Sequence, residues 1–469
     1  MKCLPLVTIV VGWIAGASAA PAQLTLRDAV TAADRSAFAN RIAAARATAA
    51  EAQALAPLKG VLPSARIEAG YVRTTDPIGV FGALLRQRDI SQASFDPRRL
   101  NYPDAVANLQ GGIVVEQPLV NADAWAARRA AVRSADATSA SADWSRLGIR
   151  VDVIRAYYGA SLATERLSTL QAAARAAHAH VSQAEAMVRQ GLVTKSDALL
   201  AAVRAGDVDA QLAEADAGVV DARRRLAVLL GDVKASDAVL PVVPTMLPLA
   251  GRIRSAAVND TAVSAVGVRA DVRADVRAAT IGAEAAGADA LRARLTYAPR
   301  INAFARYDWN SPVRLYAGAK NWTVGVMASW SVVPAATDFA DVRSAAARAS
   351  AANAEVAGAA ANAELQAQET RSALVVALAR LAIAERAVAQ SAEAHRIVAR
   401  KYEGGLATVV ELLDAQAVET QSALAFSQAR WATIVADAER LLVLGRDPGA
   451  LTVLDATDAV AASADPAVR

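Results

Sequence analysis

The chain has 469 residues, with 50 Lys and Arg against 46 Asp and Glu, three His and one Cys. Hydrophobic residues make up 54 % of it but aromatics only 4 %, because roughly a quarter of the chain is Ala. Ala favours helix and has little surface to bury, which argues against thick-cored enzyme domains and for long, thin helices packed through small side chains. The charges, formally +4 in sum, are interspersed and form no basic block of the kind that nucleic-acid binders use.

The chain opens with Met1-Lys2, an apolar run from Leu4 to Ala15 and the small residues Ala17-Ser18-Ala19-Ala20. A short charged start, a run too short to span a bilayer and a small-residue stretch make residues 1–22 a secretory signal peptide. Cys3, the one cysteine, lies inside it. The exported chain is therefore expected to hold no disulfide and to use no thiol chemistry.

Two structural repeats follow, at 23–231 and 263–446, with the same order of parts. Each begins with an Ala-rich helical stretch, Leu26–Leu58 or Val266–Leu295. Each meets a proline, Pro63 or Pro299, and switches to period two, giving strands at about 64–117 and 300–333. Each leaves that region near Pro118 or Pro334 and enters a very long helix, Ala122–Arg189 or Ala335–Glu403. At about 1.5 Å per residue such a helix extends on the order of 100 Å. Each turns at Gly191-Leu192 or Gly405-Leu406 and returns as a shorter helix stopping at Gly231 or Gly445. A connector at 232–262 separates the repeats and holds Pro241, Pro244 and Pro248, which no continuous helix tolerates. Residues 447–469 are expected to form a tail.

The period-two segments sort their side chains cleanly. Trp322, Val324, Val326, Ala328, Trp330 and Val332 share one face, with Asn321, Thr323, Gly325, Met327, Ser329 and Ser331 on the other. Ile301, Ala303, Ala305, Tyr307 and Trp309 alternate in the same way with Asn302, Phe304, Arg306 and Asp308. Ala65, Ile67, Ala69 and Tyr71, then Leu109, Gly111, Ile113 and Val115, repeat the pattern more weakly. Strands of about ten residues, apolar on one face and aromatic near their ends, fit an outer-membrane β-barrel. Two soluble hairpins packed on helices fit the pattern as well. The first hairpin loop, Thr74–Val106, is long and the second, Asn310–Lys320, is short. Four strands cannot close a barrel, since single-chain barrels start at about eight, so spanning strands require several chains to pool them.

Catalytic and metal-binding patterns are not evident. His178 and His180 lie two apart, about 200° around a helix, and His395 is solitary, so none is expected to bind metal. No phosphate-binding glycine loop and no Gly-x-Ser-x-Gly elbow occurs. The expectation is a protein that is not an enzyme and uses no cofactor.

Several motifs resemble one family. Leu24-Thr25-Leu26-Arg27-Asp28-Ala29-Val30, Leu62-Pro63-Ser64 and Gln117-Pro118-Leu119-Val120 are similar to the opening helix, strand entry and strand exit of TolC-like outer-membrane efflux proteins. Arg273-Ala274-Asp275-Val276 resembles the Arg-Pro-Asp signature of that family's second half, with Ala274 in place of proline. The resemblance implies a mainly α homotrimer: an α-helical barrel joined to a 12-stranded outer-membrane β-barrel, four strands per protomer. It further implies adaptor-contacting tips at Gly191, Leu192, Thr194, Gly405, Leu406 and Thr408. Glu411 and Asp414 match the acidic positions of the family's constriction, and Asp197 and Tyr402 match its hydrogen-bonded lock. The arginine completing that lock in the family's best-known member is Ala407 here, which implies a lock that is either weaker or built differently, with Lys195 or Arg189 as candidates.

By that resemblance the protein is a passive exit duct of a tripartite efflux pump or a type I secretion system. It would carry small molecules or proteins out of a Gram-negative cell. Its partners would be a periplasmic adaptor (membrane fusion) protein, an inner-membrane pump of RND or ABC type reached through the adaptor, and outer-membrane lipid, with no nucleic acid. Its location would be the outer membrane with a long periplasmic extension. A periplasmic helical adaptor or scaffold without a pore shares the Ala-rich helices but has no use for four aromatic-edged strands.

Overall fold

The computed structural model describes residues 24–232, 250–254, 273–331 and 336–451. The signal peptide, most of the connector and the tail beyond residue 451 lie outside the described residues. The elements follow the two-repeat order. The first repeat holds α1 (Leu26–Ser36), α2 (Phe38–Gln53), β1 (Ser64–Thr74), α3 (Pro77–Gln87), α4 (Pro97–Asn101), β2 (Val106–Val120), α5 (Ala122–Arg189) and α6 (Lys195–Leu229). The second holds α7 (Ala274–Leu295), β3 (Arg300–Ser311), β4 (Ala319–Ser329), α8 (Ala336–Glu403) and α9 (Val409–Val443). The long helices have 68 residues in each repeat and the returning helices 35 in each, so the duplication survives at element level.

Two compact units emerge, and neither follows a repeat boundary. One takes residues 42–145 and 268–366, the other 1–41, 146–267 and 367–469.

In the first unit the strands form one antiparallel sheet in the order β1-β2-β3-β4. Pairing of β2 with β3 joins the hairpins of the two repeats, and β1 and β4 remain as edges. The register lines up Ile67 with Ile113, Ile113 with Tyr307 and Tyr307 with Trp322. The alternation read from sequence therefore produces one continuous apolar face. None of the described residues covers most of it: Ile67 is 70 % exposed, Trp322 72 % and Val326 66 %.

The opposite face carries linked charges. Arg66 meets Glu116 at 2.7 Å and Glu68 at 2.9 Å, and Arg306 meets Glu68 at 3.2 Å and Asp308 at 2.8 Å.

Arg273, 1 % exposed, pairs with Asp275 at 2.7 Å, donates to Gln366 and stacks 4.8 Å over Trp144. The motif at the start of the second repeat thus serves as a buried anchor for α7.

Three boundaries differ from the sequence expectation. The stretch Leu26–Leu58 is broken at Ala37, whose ψ is 131°. No proline lies there. Side chains stabilise the break: Ser36 Oγ donates to Leu230 O at 2.6 Å, and Asn40 Nδ2 donates to Ala33 O at 3.0 Å. Strand β2 runs through Pro118 to Val120, with a register shift between those two residues. Proline has no N–H to give the ladder, so the strand continues past it as a bulge. Strand β4 stops at Ser329 rather than near residue 333, and Trp330 instead donates its indole N–H to Tyr297 O at 3.0 Å.

The loop Thr74–Val106 also proves to be built. Asp76 caps α3 by accepting from Gly79 N, and Val80 and Ala83 are buried. Gln87 Nε2 donates to Ala107 O at 2.8 Å and Asn108 Oδ1 at 3.0 Å, and Asn108 Nδ2 donates to Asn310 Oδ1 at 2.9 Å. Arg88 adds a bond to Lys320 O at 2.9 Å. Asn108 and Asn310 belong to the polar set of the alternation, so α3 docks on the polar face at the hairpin-loop end of the sheet.

The second unit is helical. Its main core joins Leu26, Ala29 and Ala33 of α1, Val153, Ile154 and Tyr157 of α5, Leu226 of α6, Leu374 and Leu381 of α8, and Ile434, Ala438 and Leu441 of α9. Ala250 and Ile253, from the short helical piece at 250–254 in the connector, pack into it. Arg150 of α5 fastens α1 and the segment after α9, meeting Asp34 at 2.7 Å and Asp447 at 2.6 Å.

Candidate functional site at the helix tips

Each long helix ends in the same way. Gly191 (φ 75°) and Gly405 (φ 70°) adopt the left-handed conformation that a side chain would oppose. Leu192 N donates to Met187 O at 2.9 Å and Gly191 N to Val188 O at 3.0 Å, with the same pair at Leu406 to Lys401 and Gly405 to Tyr402. These paired bonds satisfy carbonyls that the helix end leaves open.

The return is capped by a reciprocal pair in each repeat. Thr194 accepts from Asp197 N, while its own N–H donates to Asp197 Oδ2 at 3.0 Å. Thr408 and Glu411 form the same reciprocal box, with Thr408 N to Glu411 Oε2 at 2.7 Å. Two residues matched to a lock and a constriction therefore have a local task, holding the first turn of α6 and α9. Asp414, one turn on from Glu411, is exposed and borders a groove with Arg204, Asp207 and Gln211 of α6.

Behind the turns the two repeats meet. Ala184 of α5 and Ala201 of α6 pack with Tyr402 of α8 and Val409, Leu412 and Leu413 of α9. Ala407, where the resembling family has arginine, packs against this cluster. Tyr402 is 2 % exposed and its hydroxyl is buried without a hydrogen-bond partner among the described residues. Burial, and secondarily the charge of Asp197, raises the Tyr402 pKa. Within one chain the Asp197 carboxylate bonds Thr194 rather than Tyr402. Lys195 and Arg189 are exposed. At the very ends, Leu192 (65 %) and Leu406 (82 %) present bare apolar side chains to solvent.

His395 is not solitary. Its ring lies 5.9 Å from that of His180 and its Nδ1 is 2.5 Å from Glu419 Oε2, while His178 meets Asp209 at 3.0 Å. The repeat register held the signal: His180 precedes Gly191, and His395 precedes Gly405, by nearly the same number of residues. Among the described residues no three His, Cys, Asp or Glu side chains converge as metal ligands.

Residues 41–232 match the model of the outer membrane efflux protein family. Among curated proteins none is a significant sequence match. Solved structures share the fold. The outer membrane protein VceC of Vibrio cholerae aligns with a TM-score of 0.72 at 19 % identity, over 90 % of this chain and 96 % of that one. The CmeC outer membrane channel of Campylobacter jejuni aligns at 0.75 and 13 % identity, over 92 % and 88 %. The MtrE outer membrane channel of Neisseria gonorrhoeae, in its open state, aligns at 0.70 and 18 % identity, over 90 % and 89 %. With residues 41–232 matching the family model and about nine-tenths of its length sharing the fold of these proteins, the chain is similar to outer membrane efflux proteins and has the fold of these outer-membrane channels.

Proposed function

We propose that the protein is a passive outer-membrane exit duct for an efflux pump, three chains pooling their strands into one twelve-stranded barrel. The sheet carries this reading: four strands, an uncovered apolar face and two unpaired edges. An apolar face of that extent is unstable in water and stable against lipid tails. Open edges within a bilayer are not tolerated, so they pair with neighbouring chains. No described helix is long and apolar enough to cross a membrane, which leaves the strands to do so. The charged face then lines the lumen, and α3 docks over it at the outer mouth. A periplasmic scaffold has no use for such a sheet, and recovery of the protein from cells in a detergent-free soluble fraction would decide for that alternative.

In this reading the helix tips face the periplasm and meet the adaptor, which connects to an inner-membrane pump. Leu192 and Leu406 are the contact residues, being apolar, exposed and held by capped turns. The double variant Leu192→Asp, Leu406→Asp should lose efflux-dependent drug resistance while trimers stay in the membrane. Wild-type resistance in that variant would place the adaptor elsewhere.

The tips also form the gate. Three copies of Asp414 and Glu411 would ring a narrow point and attract cations. Tyr402 brings to the gate a hydroxyl that has no partner among the described residues, and we assign its partner to the adjoining protomer in the closed trimer. Tyr402→Phe removes one oxygen and leaves the cap at Asp197 intact, so it tests the lock more cleanly than Asp197→Ala. It should raise conductance several-fold in planar bilayers, and an unchanged conductance would remove Tyr402 from the lock.

A further inference from the structure

Above the tip cluster lies a layer that neither the duct reading nor the resemblance uses. His180 on α5 and His395 on α8 meet edge to face, centroids 5.9 Å apart and planes at 83°. Glu419 on α9 holds His395 Nδ1 at 2.5 Å, fixing that ring's orientation. The Nε2 atoms of both rings are buried, and neither has a hydrogen-bond partner. Buried polar atoms are rarely left in that state without a role.

The surroundings are otherwise nearly uncharged. From α5 the pair is faced by Gln183. On α8, Ser391 is occupied by Val388 O. From α9 come Glu419 and Gln416, the latter donating to Ala173 O. The contribution of α6, Asp209, meets the exposed His178 instead. Toward the tip, the next layer is the apolar cluster of Ala184, Tyr402, Leu412 and Leu413.

We propose that His180, His395 and Glu419 form a proton-operated latch: with His180 neutral the helices α5 and α8 pack, and a proton on His180 drives them apart just above the tips. A charged His180 ring lies buried against the His395 ring with no hydrogen-bond partner for its Nε2, and Glu419 is held on His395. Burial chiefly, and His395 next, lowers the His180 pKa from its ordinary 6.5. The packed state therefore binds this proton less tightly than an opened one, and opening gains as pH falls below that value. The latch is a property of helix packing and stands whether or not the protein serves a pump.

Hydrogen exchange read by mass spectrometry on the full protein in detergent tests it, with rates at pH 7.5 and 5.0 each divided by the intrinsic chemical rate. Peptides spanning 176–188 in α5 and 391–402 in α8 should lose protection on acidification. A control peptide at 150–160 in the main core should keep its protection. His180→Gln and, separately, His395→Gln should hold the two tip-proximal peptides at their neutral-pH protection. A flat wild-type response, an equal loss in the control peptide, or a wild-type response in both variants would overturn the latch.

Discussion

Val324→Arg should strip the protein from the outer membrane, whereas Asn321→Arg, three residues away on the same strand, should leave it there. Val324 is the middle residue of the eleven in β4 and is 63 % exposed on the apolar face, paired with Ala305. If that face meets lipid tails, the substitution puts a guanidinium near the bilayer midplane. The cost there is about 2–4 kcal/mol per chain, and about three times that for a trimer. Asn321 has the opposite parity and pairs with Asp308 on the charged face. An arginine at 321 gains a carboxylate neighbour in an aqueous lumen and costs little. Quantifying trimers in washed outer membranes checks both. The expected result is at least a tenfold loss for Val324→Arg and near wild-type levels for Asn321→Arg. Equal levels in the two variants, high or low, would show that the faces do not differ and would remove the lipid assignment.

That contrast rests on a period of two, which sequence displays directly, and it explains why the sheet was legible residue by residue. The long helices were legible for a similar reason: between Ala122 and Arg189 there is no proline, and the first left-handed glycine follows immediately. The tips could be read because a Gly turn, a Thr cap and an acid three residues on are local signals. What escaped was non-local. The break at Ala37 depends on a carbonyl from Leu230, far along the chain. The docking of α3 depends on a relay from Gln87 through Asn108 to Asn310, which unites three segments. The extra strand residues at Leu119 and Val120 depend on what β3 offers as a partner beyond Pro118. The pairing of His180 with His395 required laying one repeat over the other. Resemblance marked Asp197 and Glu411 for the gate, but only geometry revealed the caps that occupy their carboxylates.

Glu165→Ala should cause the largest loss of stability of any single substitution in the helical unit. Glu165 on α5 is 8 % exposed and accepts from Ser427 Oγ at 2.6 Å and from the guanidinium of Arg430, both on α9. Arg430 is also mostly buried and lies 4.7 Å over the ring of Phe426. Such a pair adds little relative to apolar residues of the same shape, because each ion has lost its water. Removing one partner is another matter. The arginine keeps its charge and its packed position but loses the carboxylate, at a cost of about 3–5 kcal/mol. Glu165→Gln, which retains an acceptor oxygen, should cost less. The double variant Glu165→Ala, Arg430→Met should recover much of the loss, since no charge is then stranded. Denaturant unfolding of the wild type, Glu165→Ala, Arg430→Met and the double variant in the same detergent gives the coupling energy. A loss below about 1 kcal/mol for Glu165→Ala would mean that Arg430 swings into water and that the pair does not tie α5 to α9. The expected large coupling would set the two contacts between the repeats apart: a permanent tie at Glu165 and Arg430, and a titratable one at His180 and His395, nearer the tips, where a gate has to give way.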